Sequence, residues 1–388
     1  MQSLKDLIKP YQINTFLEKN WTKEAIFLPS DGERNFNNLF SWDKLTDLIN
    51  YHEFEFPSLR LSKNGKILDK NENTNFLKHC QEGATLVIDR IHNLVPEIAT
   101  FTSKLRHSLG CRVHVNLYCS LPKQQGFSCH YDPHEVFILQ IDGQKEWQIF
   151  NDTFKYPLPA QKSDLFSPPD GQPYLNCVLK PGDILYIPRG HWHYAVALDQ
   201  PSLHLTVGVH CKTGIDFLEW LISELSHKEE WRKSMPLITD GISASEHLDN
   251  LIQNLVKDIT NNDDIPAEYI DFIKSSEKPI VSFSLPYQLG FNIFPNGRDT
   301  KFTRPNVQRV RISDLSNDNS YKIKIWNKEI ILRGVTTTLV NNLFSKESFN
   351  GNDVVSWLPD FDWEIDIVPL LSRLVLEGII FVNTSTDA

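Results

Sequence analysis

The stretch Gly126-Phe-Ser-Cys-His130-Tyr-Asp132-Pro-His-Glu-Val-Phe-Ile-Leu-Gln-Ile-Asp142-Gly143-Gln-Lys145-Glu-Trp147 decides how this chain is read. Its two apolar runs, Val136–Ile141 and Glu146–Phe150, are separated by Asp142-Gly143, the dipeptide of a tight hairpin turn. His130 and Asp132 stand at i and i+2, so on a strand both side chains point to one face. A lone H-x-D is a weak signal, because many solvated turns contain one.

A second stretch changes its weight: Lys180-Pro-Gly-Asp-Ile-Leu-Tyr-Ile-Pro-Arg-Gly-His-Trp-His193. Pro-Gly-Asp opens a short strand and Pro-Arg-Gly closes it, and the turn is expected to deliver His193 to a rim. Two imidazoles and one carboxylate form a facial set that leaves half of an octahedral ion open, as non-heme Fe(II) oxygen chemistry requires. A closed four-ligand zinc site has no such room. His134 and His191 compete for the same role: His134 lies beyond the H-x-D spacing, and His191 lies two residues before His193 in the turn.

Working outward, residues 21–210 are mostly short strands broken by Gly, Pro and Asp, among them Ala84–Asp89, Arg112–Tyr118, Asp183–Ile187 and Leu203–Val207. Many short strands with regular turns predict a β-sandwich or small barrel. From about Gly214 the period becomes helical. Leu218, Leu221, Ile222 and Leu225 share one face, and Leu248, Leu251, Ile252, Leu255, Val256 and Ile259 form a longer stripe. Packing on the barrel and a helical dimer interface both explain these stripes. From Tyr321 the pattern predicts helices near Thr337–Phe344, Asn352–Trp357 and Ile367–Leu374, then a strand at Ile379–Val382, an order compatible with a winged helix.

These two stretches together resemble the JmjC hydroxylases, in particular the cupin group that includes the ribosomal oxygenases. The resemblance spans roughly residues 21–210 and is densest at 126–147 and 181–208. It implies an α+β chain: a double-stranded β-helix (jelly-roll, cupin) catalytic domain over 1–212, a helical, dimerisation-type segment over 213–285, and a winged-helix-like domain over 286–388. It implies an Fe(II)- and 2-oxoglutarate-dependent dioxygenase using dioxygen, with His130, Asp132 and His193 as metal ligands and His193 preferred over His191 by the P-x-G-x-x-H pattern.

Lys145, fifteen residues after His130, matches the family's basic residue for the distal carboxylate of 2-oxoglutarate; strand alternation alone makes it a solvated hairpin lysine. Asn116 matches a co-substrate position, its plainer reading being a strand Asn bonded to neighbours. Tyr118 matches a substrate position and reads equally as a core aromatic. His204 and Thr206 alternate on the last strand and belong to the same face. Gly208 stands where some relatives carry a Ser that contacts substrate, which favours arginine over histidine as the target residue. A ribosomal protein is the expected substrate. The alternatives are a natural-product peptide or free amino acid, lysine demethylation, and a degenerate cupin that only binds.

The chain has 388 residues, with 39 Lys+Arg, 49 Asp+Glu and a net charge of -10. That balance disfavours a protein that coats nucleic acid or anionic lipid. Residues 321–388 hold six Lys/Arg and nine Asp/Glu, so no direct DNA binding is expected of the winged-helix-like part and protein contact is preferred. No apolar run approaches a membrane span, and the N-terminal MQSLKDLIKPYQINTF lacks a signal-peptide core, so a cytoplasmic location is expected. Six cysteines without a C-x-x-C pair read as reduced thiols.

Overall fold

The computed structural model describes residues 3–237, 242–275, 283–304, 310–315, 319–325 and 328–383. The chain divides into two compact units, Met1–Lys212 and Thr213–Ala388.

The first unit contains eleven strands: β1 Ile26–Leu28, β2 Leu59–Lys63, β3 Lys66–Ile67, β4 Thr85–Ile88, β5 Arg112–Ser120, β6 Glu135–Asp142, β7 Lys145–Asp152, β8 Leu175–Leu179, β9 Ile184–Ile187, β10 His191–Ala197 and β11 Ser202–His210. Eight form one sheet in the order β1-β9-β6-β11-β5-β4-β2-β3, and a smaller sheet runs β10-β7-β8. The pairing is antiparallel throughout the named strands of both sheets. This is a jelly roll.

Alternation decides what each strand does. On β5, β6 and β11 the odd-numbered side chains (Val113, Val115, Leu117; Phe137, Leu139, Ile141; Leu203, Leu205, Val207, Val209) enter the main core. The even-numbered Val136 and Ile138 face the other way, into a second core with Trp147, Ile149, Leu185, Ile187 and Ala195. β6 is therefore buried on both faces, which is why it reads as an unbroken apolar run.

The outer face of the large sheet needs a cover, and helices supply it. Pro96–Leu109 starts with proline in its first turn and buries Ile98, Phe101 and Leu105. Trp42–Tyr51 is capped by the Ser41 hydroxyl, which accepts from the Lys44 N–H, and buries Leu45 and Leu48. The strand-dominated reading of residues 21–210 missed both helices.

The Asp142-Gly143 turn is also corrected. β6 and β7 belong to different sheets, so the turn makes no ladder between them. It passes the chain from one wall of the barrel to the other. Gly143 sits at φ +67°, and a Cβ there would lie 1.9 Å from the Pro201 carbonyl oxygen, so the corner requires glycine.

In the second unit, helices Gly214–Leu225, Ile242–Thr260 and Ile265–Ser275 share a small core of Trp220, Leu221, Leu225 and Ile265, with Phe217, Leu255 and Tyr269 packed on it. The expected stripe on the first helix is rotated: Leu218 and Ile222 are exposed, Ile222 to 65%. Leu248, Ile252, Val256 and Ile259 are exposed as well. The aromatic rings of Phe217, Trp220 and Tyr269 outweigh the leucines in choosing the buried face.

Further along, helices Thr337–Ser345, Gly351–Trp357 and Val368–Leu376 pack with a three-stranded sheet of Ser348–Asn350, Lys301–Thr303 and Phe381–Val382 around Leu339, Leu343, Trp357, Leu371 and Phe302. A second sheet joins Arg311–Asp314, Tyr321–Ile325 and Lys328–Leu332. Among the described residues, no helix is long and apolar enough to cross a membrane.

Candidate active site

The inner faces of the two sheets enclose a cavity of about 240 Å³ lined, among others, by His130, Asp132, His193, Lys145, Asn116 and Tyr118. The structure thus brings together all six residues singled out in the sequence.

His193 is not on a rim after a turn. It lies in β10, buried, opposite β7. The segment before β6 joins the free side of β10 through a bridge between His130 and His193. Each backbone N–H donates to the other's carbonyl, at 3.1 and 2.7 Å. Residues bridged in this way project side chains to the same face, and the two imidazole centroids are 4.5 Å apart. Asp132 is fixed next to them by its carbonyl, which accepts from the Gly190 N–H at 3.0 Å.

One ligand atom from each of His130, Asp132 and His193 lies within 4.8 Å of the others, with His193 Nε2 3.7 Å from Asp132 Oδ2. His130 Nδ1–H donates to the Ser128 carbonyl at 2.8 Å, and His193 Nδ1–H donates to the His191 carbonyl at 3.0 Å. A carbonyl only accepts, so Nδ1 carries the proton on both rings and each Nε2 lone pair is free. This is the outer-contact arrangement that orients metal-ligating histidines.

Burial works to raise the Asp132 carboxyl, but His134, His130, His193 and His114 outweigh it and hold it at about 2. Burial, then the neighbouring His130, push His193 down to about 4, so its ring is neutral near pH 7. Two imidazoles and one carboxylate converging with no fourth protein donor among the described residues suit a six-coordinate divalent transition metal with open positions.

The two competing histidines stand elsewhere. His191 gives its Nδ1 to the Tyr174 hydroxyl at 2.7 Å, and a register shift between His191 and Trp192 separates it from the face of His193. His134 groups with His114 and His210.

Lys145 is 4% exposed rather than solvated. Its ammonium donates to Ser120 Oγ at 3.0 Å and has no ion-pair partner among the described residues. Burial lowers it to about 8. Close by, Trp147 Nε1 and His204 Nδ1 are buried with no hydrogen-bond partner among the described residues, and Trp147 lies 5.9 Å from the ammonium. His204 stacks on Tyr118 at 5.0 Å, and burial keeps its imidazole neutral. An unpaired cation and an orphaned N–H donor in one dry pocket make a receptor for an anion. Asn116 Oδ1 accepts from the Arg90 N–H at 2.9 Å, so its plainer role is filled while it still lines the cavity.

Arg60 also reaches the cavity, clamped by two 2.7 Å hydrogen bonds to Asp89. Neither Arg60 nor Ser120 was expected; only the pairing of β2, β4 and β5 brings them here, and no motif carries that signal.

Residues 92–217 match a family described as "JmjC domain". That segment of the chain is similar to the JmjC domain. The matched segment contains β5 to β11, which carry His193, Lys145, Asn116 and Tyr118. The "Bifunctional lysine-specific demethylase and histidyl-hydroxylase NO66" of Drosophila persimilis is 29% identical over 289 residues, 66% of this chain and 41% of that protein. "Ribosomal oxygenase 1" of Homo sapiens is 28% identical over 265 residues, 63% of this chain and 41% of that protein. This chain thus covers about two-fifths of the length of these two relatives. Among solved structures, Escherichia coli ribosomal oxygenase YcfD has the same fold, with a TM-score of 0.62 at 18% identity, covering 96% of this chain and 98% of that one. A second structure of it, "in complex with Cobalt and 2-oxoglutarate", gives 0.61 at 19% identity, covering 96% and 99%.

Proposed function

We propose that this protein is a JmjC-type Fe(II)- and 2-oxoglutarate-dependent oxygenase that hydroxylates a protein side chain, an arginine on a ribosomal protein. One observation carries the reading: a two-histidine, one-carboxylate donor set and a buried, unpaired lysine line a single cavity.

His130, Asp132 and His193 would hold the metal through His Nε2 and the carboxylate. When bound, Fe(II) supplies the redox chemistry that couples oxidative decarboxylation of 2-oxoglutarate by dioxygen to hydroxylation of a C–H bond, leaving succinate and CO2. The chain's own residues do the positioning. Lys145 offers its ammonium to the distal carboxylate, with Ser120 and the Trp147 N–H beside it. Val136, Ile138 and Ala195 exclude water from the cavity. Tyr118 and Asn116 stand on the same face of β5 and orient what enters.

The relatives named ribosomal oxygenase support a ribosomal substrate. Gly208 supports arginine, because it offers no hydroxyl to a histidine ring. In this reading residues 1–212 form the catalytic domain. Residues 213–285 pair two copies through Leu248, Ile252, Val256 and Ile259, exposed in the single chain. Residues 286–388 form the winged-helix-like part, engaged in protein rather than DNA contact, and the acidic chain works in the cytoplasm.

The test is succinate release from purified protein given Fe(II) and 2-oxoglutarate, followed by intact masses of ribosomal proteins from cells with and without the gene. Succinate formation and a one-oxygen mass gain that depends on the gene are expected. No succinate with any substrate, together with no metal bound, overturns the reading. His130→Ala and Asp132→Ala should each abolish turnover while leaving the melting transition cooperative.

A further inference from the structure

The inner faces of β5 and β11 carry a second group of histidines that lies outside the His130–Asp132–His193 donor set. Register places the pairs in a ladder: Ser202 opposite Ser120, His204 opposite Tyr118, Thr206 opposite Asn116, Gly208 opposite His114. Lys145 lies at the Ser120 end. At the other end, beyond Asn116, stand His114 and His210, joined by His134 from the turn just before β6.

One ring nitrogen from each of these three lies within 4.8 Å of the others. The ring centroids are 4.9 Å (His114–His210), 5.1 Å (His114–His134) and 4.6 Å (His134–His210) apart. All three are half-buried.

Two features show that the grouping is built. First, Gly208 makes room for it. A Cβ there would lie 2.2 Å from His114 Cε1 and 2.8 Å from His114 Nε2, so the imidazole occupies the space over the glycine and reaches His210, two residues further on. Second, His134 is already oriented as a ligand: its Nδ1–H donates to the Glu135 carbonyl at 3.2 Å, leaving Nε2 as a lone pair. The remaining protein contact is a single 2.9 Å hydrogen bond between His210 Nε2 and His114 Nδ1. His114 Nε2, His134 Nε2 and His210 Nδ1 have no protein partner among the described residues.

We propose that His114, His134 and His210 form a second metal site, distinct from the His130–Asp132–His193 centre, that takes a divalent cation of the zinc class. Three imidazole nitrogens with no carboxylate among them favour zinc, copper or nickel over magnesium or calcium. Three protein ligands leave one tetrahedral position open. Binding through His114 Nδ1 and His210 Nε2 breaks the hydrogen bond between them, and the proton it held moves to the second nitrogen of the same ring, so two metal–nitrogen bonds form with no change of oxidation state. His134 lies two residues from Asp132, so a cation there stands beside the catalytic centre, beyond the Asn116 end of the ladder and away from Lys145.

The test counts zinc in the full-length protein. Metal-stripped wild type and variants are titrated with Zn2+ alone against a chromophoric chelator, with the melting transition recorded on the same samples. His134→Ala, at a half-buried turn position, is expected to lose one equivalent relative to wild type, and Gly208→Ala to lose the same one by displacing the His114 ring. His130→Ala is expected to remove a different equivalent, so the His134→Ala/His130→Ala protein loses both. Equal zinc counts in wild type and His134→Ala overturn the proposal, whatever becomes of the catalytic reading. If either variant fails to melt cooperatively, His210→Ala is read in its place, and retention of the full count there overturns the proposal equally.

Discussion

A lysine ammonium carried into an apolar barrel loses its water shell, and here, among the described residues, only the Ser120 hydroxyl replaces it. The cost shows in the lowering of Lys145 to about 8. An arriving carboxylate restores what burial removed. Lys145→Met should therefore raise KM for 2-oxoglutarate by about 10–100-fold, the range of a lost charge-assisted hydrogen bond, with a smaller effect on kcat. The same variant should melt higher, by on the order of 1–3 kcal/mol in stability, because a buried unpaired charge is gone. A lower melting point would mean that the ammonium stabilises the fold instead.

The sign with pH follows. The ligand needs the protonated amine, so KM for 2-oxoglutarate stays level below about pH 8 and climbs above it. For stability the direction is opposite: between about 8 and the ordinary lysine value the unfolded chain holds the proton and the folded one does not, so this group favours folding more as pH rises through that window. A flat KM profile from pH 7 to 9 would refute the assignment. At this scale the sequence was most legible. H-x-D and P-x-G-x-x-H mark His130, Asp132 and His193 because the chemistry sits within short spans of chain. Ser120, Arg60 and the partners of His134 were not legible, since they meet only through strands far apart in sequence.

Elements show where local rules yielded to tertiary ones. Asp142-Gly143 carries the dipeptide of a hairpin, yet the flanking strands find better partners in opposite walls of the barrel, and the turn becomes a corner. Gly143→Ala should cost about 1–3 kcal/mol through its left-handed backbone and the collision with Pro201, read as a lower urea midpoint with an unchanged slope. An unaltered midpoint would show that the corner relaxes freely. β10 teaches a similar lesson. His191 and His193 share a face by simple alternation, and the irregularity between His191 and Trp192 separates them. Six of the barrel strands were readable from alternation and turn residues. The helices Trp42–Tyr51 and Pro96–Leu109 were not, because what makes them necessary is the apolar outer face of a sheet not yet assembled.

For the molecule as a whole, the buried imidazoles set the acid limit. Burial and neighbouring histidines hold His114 and His210 at about 3, and burial lowers His92 and His204. These groups gain protons near pH 6.5 when unfolded but not when folded. Their contribution is complete above that value and is lost as pH falls below it. Metal-free protein should therefore lose stability steeply between about pH 6 and 4 in urea titrations, and substituting His204 by a non-titrating Gln should flatten the slope. Metal bound only by the folded state acts in the same balance: at a hundred times its dissociation constant it adds about 2.7 kcal/mol, and a chelator should lower the melting point accordingly.

The bridge between His130 and His193 gives that linkage a local reporter. Their two amide protons close a ring between segments sixty-three positions apart, so neither is released to solvent unless the barrel parts along that seam. Deuterium uptake at these two amides measures the opening of the seam directly. It should slow in step when metal enters, while amides of the exposed helix Ile242–Thr260 keep their own rate.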